Sequence, residues 1–212
     1  MVVCASNSGL VSTPVCGILV RMRGPALILA SRSPRRAELL SQIGVDFSID
    51  AADIDETPQS NESPELYVQR MAVEKARAIV DRAGEAAVLA ADTAVIVDGE
   101  IWGKPDNREH AVNMLRELSD RRHQVMSAVA VYYQGQMRLC LVTTEVVFGR
   151  ISEARIAAYI ASGDADDKAG AYGIQGAAGS FVQRLSGSYS AVVGLPLYET
   201  VALLSEAGIG LE

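Results

Sequence analysis

The chain has 212 residues, of which 49% are hydrophobic and 21% charged, and its formal net charge is −7. This length and composition are typical of a soluble globular protein with one large domain or two small ones. The acidic balance argues against a nucleic-acid-binding protein, which needs a basic surface, although a local cluster of cations would suffice for a small phosphorylated ligand.

Residues 1–24 differ from the rest of the chain, because they hold two of the three cysteines and no acidic residue. Their apolar stretch is interrupted by Pro14 and Gly17, unlike that of a secretory signal. We interpret 1–24 as an N-terminal extension that is disordered or not native, with Met22 as an alternative start, and 25–212 as the domain. No segment is long and apolar enough to span a membrane, and the three cysteines form no CxxC pair, which favours a cytoplasmic protein.

The first predicted strand, 26–30, leads into a helix that begins at Pro34, is capped by Ser33 and ends at Gly44. The first turn of a helix offers unpaired N–H groups to an anion. A triphosphate could therefore bind at this turn, and the candidate side chains are Ser31, Ser33, Arg35 and Arg36. An ordinary capped helix with solvated arginines explains the same residues equally well.

A strand is predicted over 45–49, followed by the acidic loop 50–56 and a helix that begins at Pro64. The helix is expected to bury the apolar side chains Leu66, Val68, Met71, Ala72 and Ile79. Carboxylates beside a phosphate need a bridging Mg²⁺ or Mn²⁺, so Glu56 and its acidic neighbours are candidate metal ligands. A solvated acidic loop is the alternative.

Two strands, 87–91 and 94–97, are predicted on either side of Asp92 and Thr93, with a turn at 98–99. A carboxylate directly after a buried strand is costly unless it is paired, bound to metal or catalytic. A turn-capping aspartate is the commoner explanation of such a residue when it stands alone.

The remaining pattern predicts a helix over 107–118, a long hairpin around 134–135, a helix over 152–161, a strand over 180–185 and a last helix over 196–206. Strands and helices alternate, but the hairpin excludes a purely parallel sheet. The expected fold is therefore α/β, with a mixed parallel and antiparallel sheet flanked by helices.

The glycine-rich loop 163–179 combines a cation, Lys168, with an amide, Gln175, that can donate to and accept from a nucleobase edge. A surface loop is the alternative, but the length and composition of this one favour function. Lysine occurs only at Lys75, Lys104 and Lys168, each beside acids, glycine or proline, where a compact ammonium could meet a phosphate.

These segments occur in an order that resembles the Maf family of nucleoside triphosphate pyrophosphatases. The resemblance runs from about residue 27 to 204 and rests on seven segments: SRSPRRAELL at 31–40, DIDE at 53–56, EKA at 74–76, ADT at 91–93, GKP at 103–105, DKAGAYGIQG at 167–176 and VGLP at 193–196. The form of segment 167–176 is similar to that of the dTTP/UTP-hydrolysing branch.

The resemblance implies a Maf/ITPase-like fold and hydrolysis of dTTP and UTP to the nucleoside monophosphate and pyrophosphate, with a divalent cation. It implies that Asp92 is the proton acceptor, with Glu56, Lys75 and Lys104 as further active-site residues. Arg35, Thr93 and Gln175 match positions linked to nucleotide choice, and a homodimer is expected because members often form one.

The alternative is a nucleotide-binding regulator of septum formation that does not turn its ligand over. The presence of Asp92, Lys104 and Glu56 favours the enzyme, since a protein that only binds nucleotide has no need for a general base. We expect Lys168 to order its loop through Asp166 or Asp167.

Overall fold

The computed structural model describes residues 22–211, and it describes no side chain for Met22, Arg23 or Leu211. Residues 1–21, the greater part of the predicted extension, lie outside the described residues. Met22 and Arg23 form a strand that pairs antiparallel with Gly210–Leu211, so these two residues of the predicted extension contact the end of the domain.

The elements of the described chain alternate as the sequence indicates. The strands are β1 Met22–Arg23, β2 Leu27–Leu29, β3 Ser48–Ile49, β4 Ala87–Val97, β5 Glu100–Trp102, β6 Arg122–Tyr133, β7 Gln136–Phe148, β8 Val182–Ser186 and β9 Gly210–Leu211. The α-helices are α1 Pro34–Gln42, α2 Pro64–Ala83, α3 Arg108–Leu118, α4 Glu153–Ala161, α5 Tyr189–Val193 and α6 Leu197–Glu206. Two short 3₁₀ turns, Ala169–Ala171 and Ala177–Phe181, lie in the glycine-rich loop.

Within residues 22–211, seven strands form one mixed sheet in the order β3-β2-β4-β6-β7-β8, with β5 paired to β4. β2 runs parallel to β3 and β4, whereas the β4, β6, β7 and β8 pairs are antiparallel. The predicted mixed sheet flanked by helices is therefore confirmed.

The two faces of β4 carry separate cores because successive side chains of a strand point to opposite faces. One face packs against α2, around Met71 and Ile79. The other packs against α1 and α6 at one end of the strand and against α3 and α4 at the other.

The prediction that Asp92 and Thr93 separate two strands, 87–91 and 94–97, is wrong, since β4 runs without a break from Ala87 to Val97. Asp92 and Thr93 pair in register with Ala128 and Ser127 of β6, so the backbone ladder passes through them. The polar side chains fit within a strand because each finds a polar partner, as described below.

The prediction that Leu66 is buried on α2 is also wrong, because this side chain is 61% exposed. Leu66 lies in the first turn of the helix, and Tyr67 takes the inward position beside Val68. The three-residue strand β5 and the five-residue helix α5 were not predicted, being too short to show a hydrophobic period.

Two predicted turns are confirmed by their backbone angles. Asp98 and Gly99 both have positive φ between β4 and β5, and Gln134 and Gly135 do so between β6 and β7. Positive φ at both central residues defines the type I′ turn that joins antiparallel strands tightly.

Candidate active site

A cavity of about 910 Å³ opens where β4 meets α1, α2 and the glycine-rich loop. Eleven candidate site residues line it, although they come from six separate parts of the chain. They are Ser31, Ser33, Arg35, Arg36, Glu56, Lys75, Asp92, Thr93, Lys104, Lys168 and Gln175.

Lys75 joins two carboxylates at the side of β4 that faces α2. Its Nζ lies 2.7 Å from Asp92 Oδ1 and 2.8 Å from Glu56 Oε1. Asp92 and Lys75 are 6% and 8% exposed, whereas the Glu56 side chain is about half exposed. A buried carboxylate is tolerated here because a buried ammonium compensates its charge.

The pKa values of these two carboxylates are displaced in opposite directions. Burial raises the pKa of Asp92, and the charges of Lys75 and Arg36 only partly oppose that rise. Burial also acts to raise the pKa of Glu56, but the hydrogen bond and charge of Lys75, with Lys104 and Arg36, bring it below its ordinary value. A carboxylate of raised pKa beside one of lowered pKa is typical of a site for proton transfer.

Arg36 is held on the opposite side of β4 by neutral oxygens. Its guanidinium donates to Gly194 O at 2.9 Å, to Ser31 Oγ at 3.1 Å and to Thr93 Oγ1 at 3.4 Å. No carboxylate forms an ion pair with it in the described part of the chain, and burial lowers its pKa. A partly buried guanidinium without a paired carboxylate suits an electron-rich oxygen of a ligand.

Two serines lie at the start of α1, and the predicted cap at Ser33 is confirmed. Ser33 is the N-cap, and its Oγ accepts from the backbone N–H of Arg36. Ser31 Oγ accepts from the Ser33 N–H at 3.2 Å and from Arg36 at 3.1 Å. Since these bonds use both lone pairs of Ser31, its hydroxyl hydrogen is available to donate to a ligand.

Lys168 lines the cavity, but its ammonium binds acceptors within the glycine-rich loop. Its Nζ lies 2.9 Å from Asp164 Oδ1 and 2.7 Å from Asp167 Oδ1, and it donates to Asp164 O at 2.6 Å. The expected contact of Lys168 with Asp167 is confirmed. The second partner is Asp164 and not the expected Asp166. Arg35 approaches the same Asp167 at 4.0 Å.

Lys104 and Gln175 line the cavity from exposed positions. Lys104 follows β5, close enough to Glu56 to lower the pKa of that carboxyl. Neither side chain is fixed by a hydrogen bond in the part of the chain that the structure describes, so both are adjustable groups at the rim.

Sequence reasoning missed two residues that line the cavity, Tyr67 and Trp102, and one that supports Thr93 from behind, Ser127. Tyr67 donates from its hydroxyl to Glu56 O at 3.0 Å and so ties the acidic loop to α2. Ser127 bonds to Thr93 from β6, and Trp102 lines the cavity from β5. A lone serine inside the apolar run 125–133 was the one available signal for Ser127.

Two carboxylates fit a divalent cation only if the ligand completes its coordination. Within residues 22–211, no three His, Cys, Asp or Glu side chains are grouped as a metal site. Glu56 and Asp92 nevertheless contact the same ammonium, and Mg²⁺ is commonly held by one or two carboxylates together with substrate phosphates.

Comparison with known proteins identifies the family. The Maf-like protein model matches residues 26–207, a range that contains every side chain of the cavity named above. The chain belongs to the Maf family.

Two similar relatives of this Maf protein are both named dTTP/UTP pyrophosphatase. The one from Colwellia psychrerythraea is 51% identical over 187 residues, which are 86% of this chain and 88% of that protein. The one from Escherichia coli O157:H7 is 53% identical over 181 residues, which are 85% of this chain and 92% of that protein.

A solved structure supports the fold of the Maf domain at lower identity. The HAM1 protein from Coxiella burnetii superimposes with a TM-score of 0.50 at 17% identity, over 87% of this chain and all of that one. Across residues 22–211, each helix is too short or too polar to cross a lipid bilayer.

Proposed function

We propose that this protein hydrolyses dTTP and UTP to the nucleoside monophosphate and pyrophosphate. The relatives that share half of its residues carry this activity in their names. The observation that carries the proposal is the buried Asp92, whose pKa is raised beside Lys75 in a cavity large enough for a nucleotide. The geometry thus supplies a base next to cations, which hydrolysis of a phosphoanhydride needs.

In this proposal Asp92 accepts a proton from a water molecule as the water oxygen bonds to the α-phosphorus. The bond from that phosphorus to the bridging oxygen breaks, and its electron pair leaves on pyrophosphate. Lys75 contacts both carboxylates and Lys104 lies near Glu56, and their charges would stabilise the negative charge that grows on the leaving group.

We further propose that Glu56 and Asp92 hold Mg²⁺ or Mn²⁺ together with the phosphates. Such a cation, when bound, neutralises phosphate charge and lowers the pKa of water in its coordination shell. We also propose a cytoplasmic location, where a free thiol such as Cys140 stays reduced.

A nucleotide-binding regulator without turnover would share the cavity but would have no use for Asp92 as a base. A buried carboxylate of raised pKa is suited to accepting a proton, and a protein that only binds its nucleotide has no need for such a base. The structure of the site therefore favours the enzyme.

Purified protein should release pyrophosphate from dTTP and UTP when Mg²⁺ is present, and EDTA should stop the release. The measurement is a panel of nucleoside triphosphates assayed for pyrophosphate, with nucleotide binding followed separately. Tight binding of dTTP and UTP without turnover in the presence of Mg²⁺ or Mn²⁺ would instead establish the regulator.

Replacing Lys75 with arginine should lower kcat about 100-fold, although the charge is kept. The ammonium fits between two carboxylates at 2.7 and 2.8 Å, and a broader planar guanidinium must displace one of them. The free energy of unfolding should fall by about 1–3 kcal/mol, as for other overpacked sites. Arg77→Lys, an exchange on the exposed face of the same helix, is the control, and equal rates in both variants would contradict this role of Lys75.

A further inference from the structure

A chain of hydrogen bonds from α5 through β6 to β4 fixes the direction of the Thr93 hydroxyl. Ser127 is fully buried opposite Thr93 in the β4–β6 pair. Its Oγ lies 2.6 Å from Ala191 O and 2.8 Å from Thr93 Oγ1. The Ala191 carbonyl belongs to the last turn of α5, where carbonyls lack a partner within the helix.

The donor in each bond follows from the chemistry of the groups. A carbonyl oxygen only accepts, so Ser127 must donate its single hydrogen to Ala191. Ser127 can then only accept from Thr93, and Thr93 gives its own single hydrogen to Ser127. The Thr93 oxygen can therefore only accept further hydrogen bonds. One of its two lone pairs faces Arg36, whose Nη2 lies 3.4 Å from Thr93 Oγ1.

An oxygen with only lone pairs excludes a phosphate contact, because ionised phosphate oxygens also only accept. The neighbouring Ser31 has the opposite polarity, since its lone pairs are occupied and its hydrogen is available. Thr93 thus requires a ligand N–H or O–H, and Arg36 beside it offers N–H donors. This wall of the cavity, formed by Arg36 and Thr93, therefore presents a hydrogen-bond donor next to an acceptor.

This donor and acceptor pair matches the edge of uracil and thymine, where a carbonyl oxygen adjoins the ring N–H. Cytosine carries a bare nitrogen acceptor at the same ring position and would meet the Thr93 lone pair with its own. A site whose polar groups are left unpaired by the wrong ligand discriminates strongly.

We infer that Ser127 is a positioning residue that, by taking the Thr93 hydrogen, makes this wall select the ring N–H of uracil and thymine and reject cytosine. The inference rests on the proposed function, since it concerns which triphosphates the cavity accepts. The 3′ hydroxyl of the sugar is the other donor that dTTP and UTP share.

The first experiment uses the unaltered protein and compares kcat/KM for nucleotide analogues. 3-Methyl-UTP, which lacks the ring N–H, should be at least about tenfold poorer than UTP. 2′,3′-Dideoxythymidine triphosphate should lie within about threefold of dTTP. Equal rates for 3-methyl-UTP and UTP, or a loss confined to the dideoxy compound, would overturn the assignment to the base.

The second experiment replaces Ser127 with alanine, which frees the Thr93 hydrogen to donate to cytosine. The ratio of kcat/KM for UTP to that for CTP should fall about tenfold or more. Thr200→Val, which removes a buried hydroxyl that has no hydrogen bond in the described chain, should keep the ratio of the unaltered protein. A merely structural role of Ser127 would lower both rates together and leave the ratio unchanged, which would overturn the inference. Absence of turnover in the unaltered protein would instead count against the proposed function itself.

Discussion

Asp92→Asn is expected to lower kcat for UTP by about 10²–10⁴-fold, the range supplied by a positioned general base. The amide keeps the shape of the side chain and still meets Lys75, but it cannot take a proton from water. Nucleotide binding should persist, because the variant removes a negative charge from the cavity that we propose receives the triphosphate.

The decrease of activity at acid pH provides a second test of Asp92 as the base. The raised pKa of Asp92 means that the base is lost by protonation at a pH above the ordinary carboxyl value. We therefore expect kcat/KM of the unaltered protein to fall with decreasing pH through that raised pKa.

Asp167→Asn is the matched control, since Asp167 is a carboxylate of the same cavity that pairs with Lys168. It should retain more than about a tenth of the turnover, because its charge orders a loop and does not accept the proton. An Asp92→Asn enzyme with unchanged kcat would remove Asp92 from the role of base.

The free energy of unfolding should decrease by about 3 kcal/mol between pH 7 and pH 4 through His123 alone. His123 is 3% exposed, its Nε2 lies 2.8 Å from the Tyr172 hydroxyl, and its Nδ1 has no hydrogen-bond partner in the described residues. Burial lowers its pKa from 6.5 to about 4. Since the unfolded chain binds the proton first, stability is fully present above pH 6.5 and is lost as the pH falls toward 4.

Urea unfolding at pH 7 and pH 4 would measure this loss in the unaltered protein and in His123→Gln. Other carboxylates titrate in the same window, so the difference between the two proteins isolates the histidine. His110→Gln, at a partly exposed histidine paired with Asp106, is the control for the removal of a histidine side chain. A His123→Gln protein with an undiminished loss would contradict the assignment.

The residues of the site were more predictable than the contacts among them. Asp92 and Lys104 stand out in short polar segments, and Ser33 with Pro34 announces a helix start by its local chemistry. The Lys75 contact with Asp92 joins residues 17 positions apart, so it depends on how α2 crosses β4 and no local pattern reports it.

The two wrong predictions also concern packing between elements, which a local pattern does not report. Asp92 and Thr93 interrupt the apolar run of β4, yet Lys75 and Ser127 compensate them from other elements, and the strand continues. Leu66 has the helical spacing of a buried residue but lies in the first turn of α2, where Tyr67 is the residue that packs inward.

The three neutral oxygens that hold Arg36 have a consequence for the cost of binding. An arginine side chain free in water has about 2 kcal/mol of rotamer entropy to lose when it becomes fixed. Folding has already fixed this one through Gly194, Ser31 and Thr93, so an arriving nucleotide meets a guanidinium that is in place. Preorganisation of this kind raises affinity without adding a contact, and it predicts a small loss of entropy on the protein's side when the nucleotide binds.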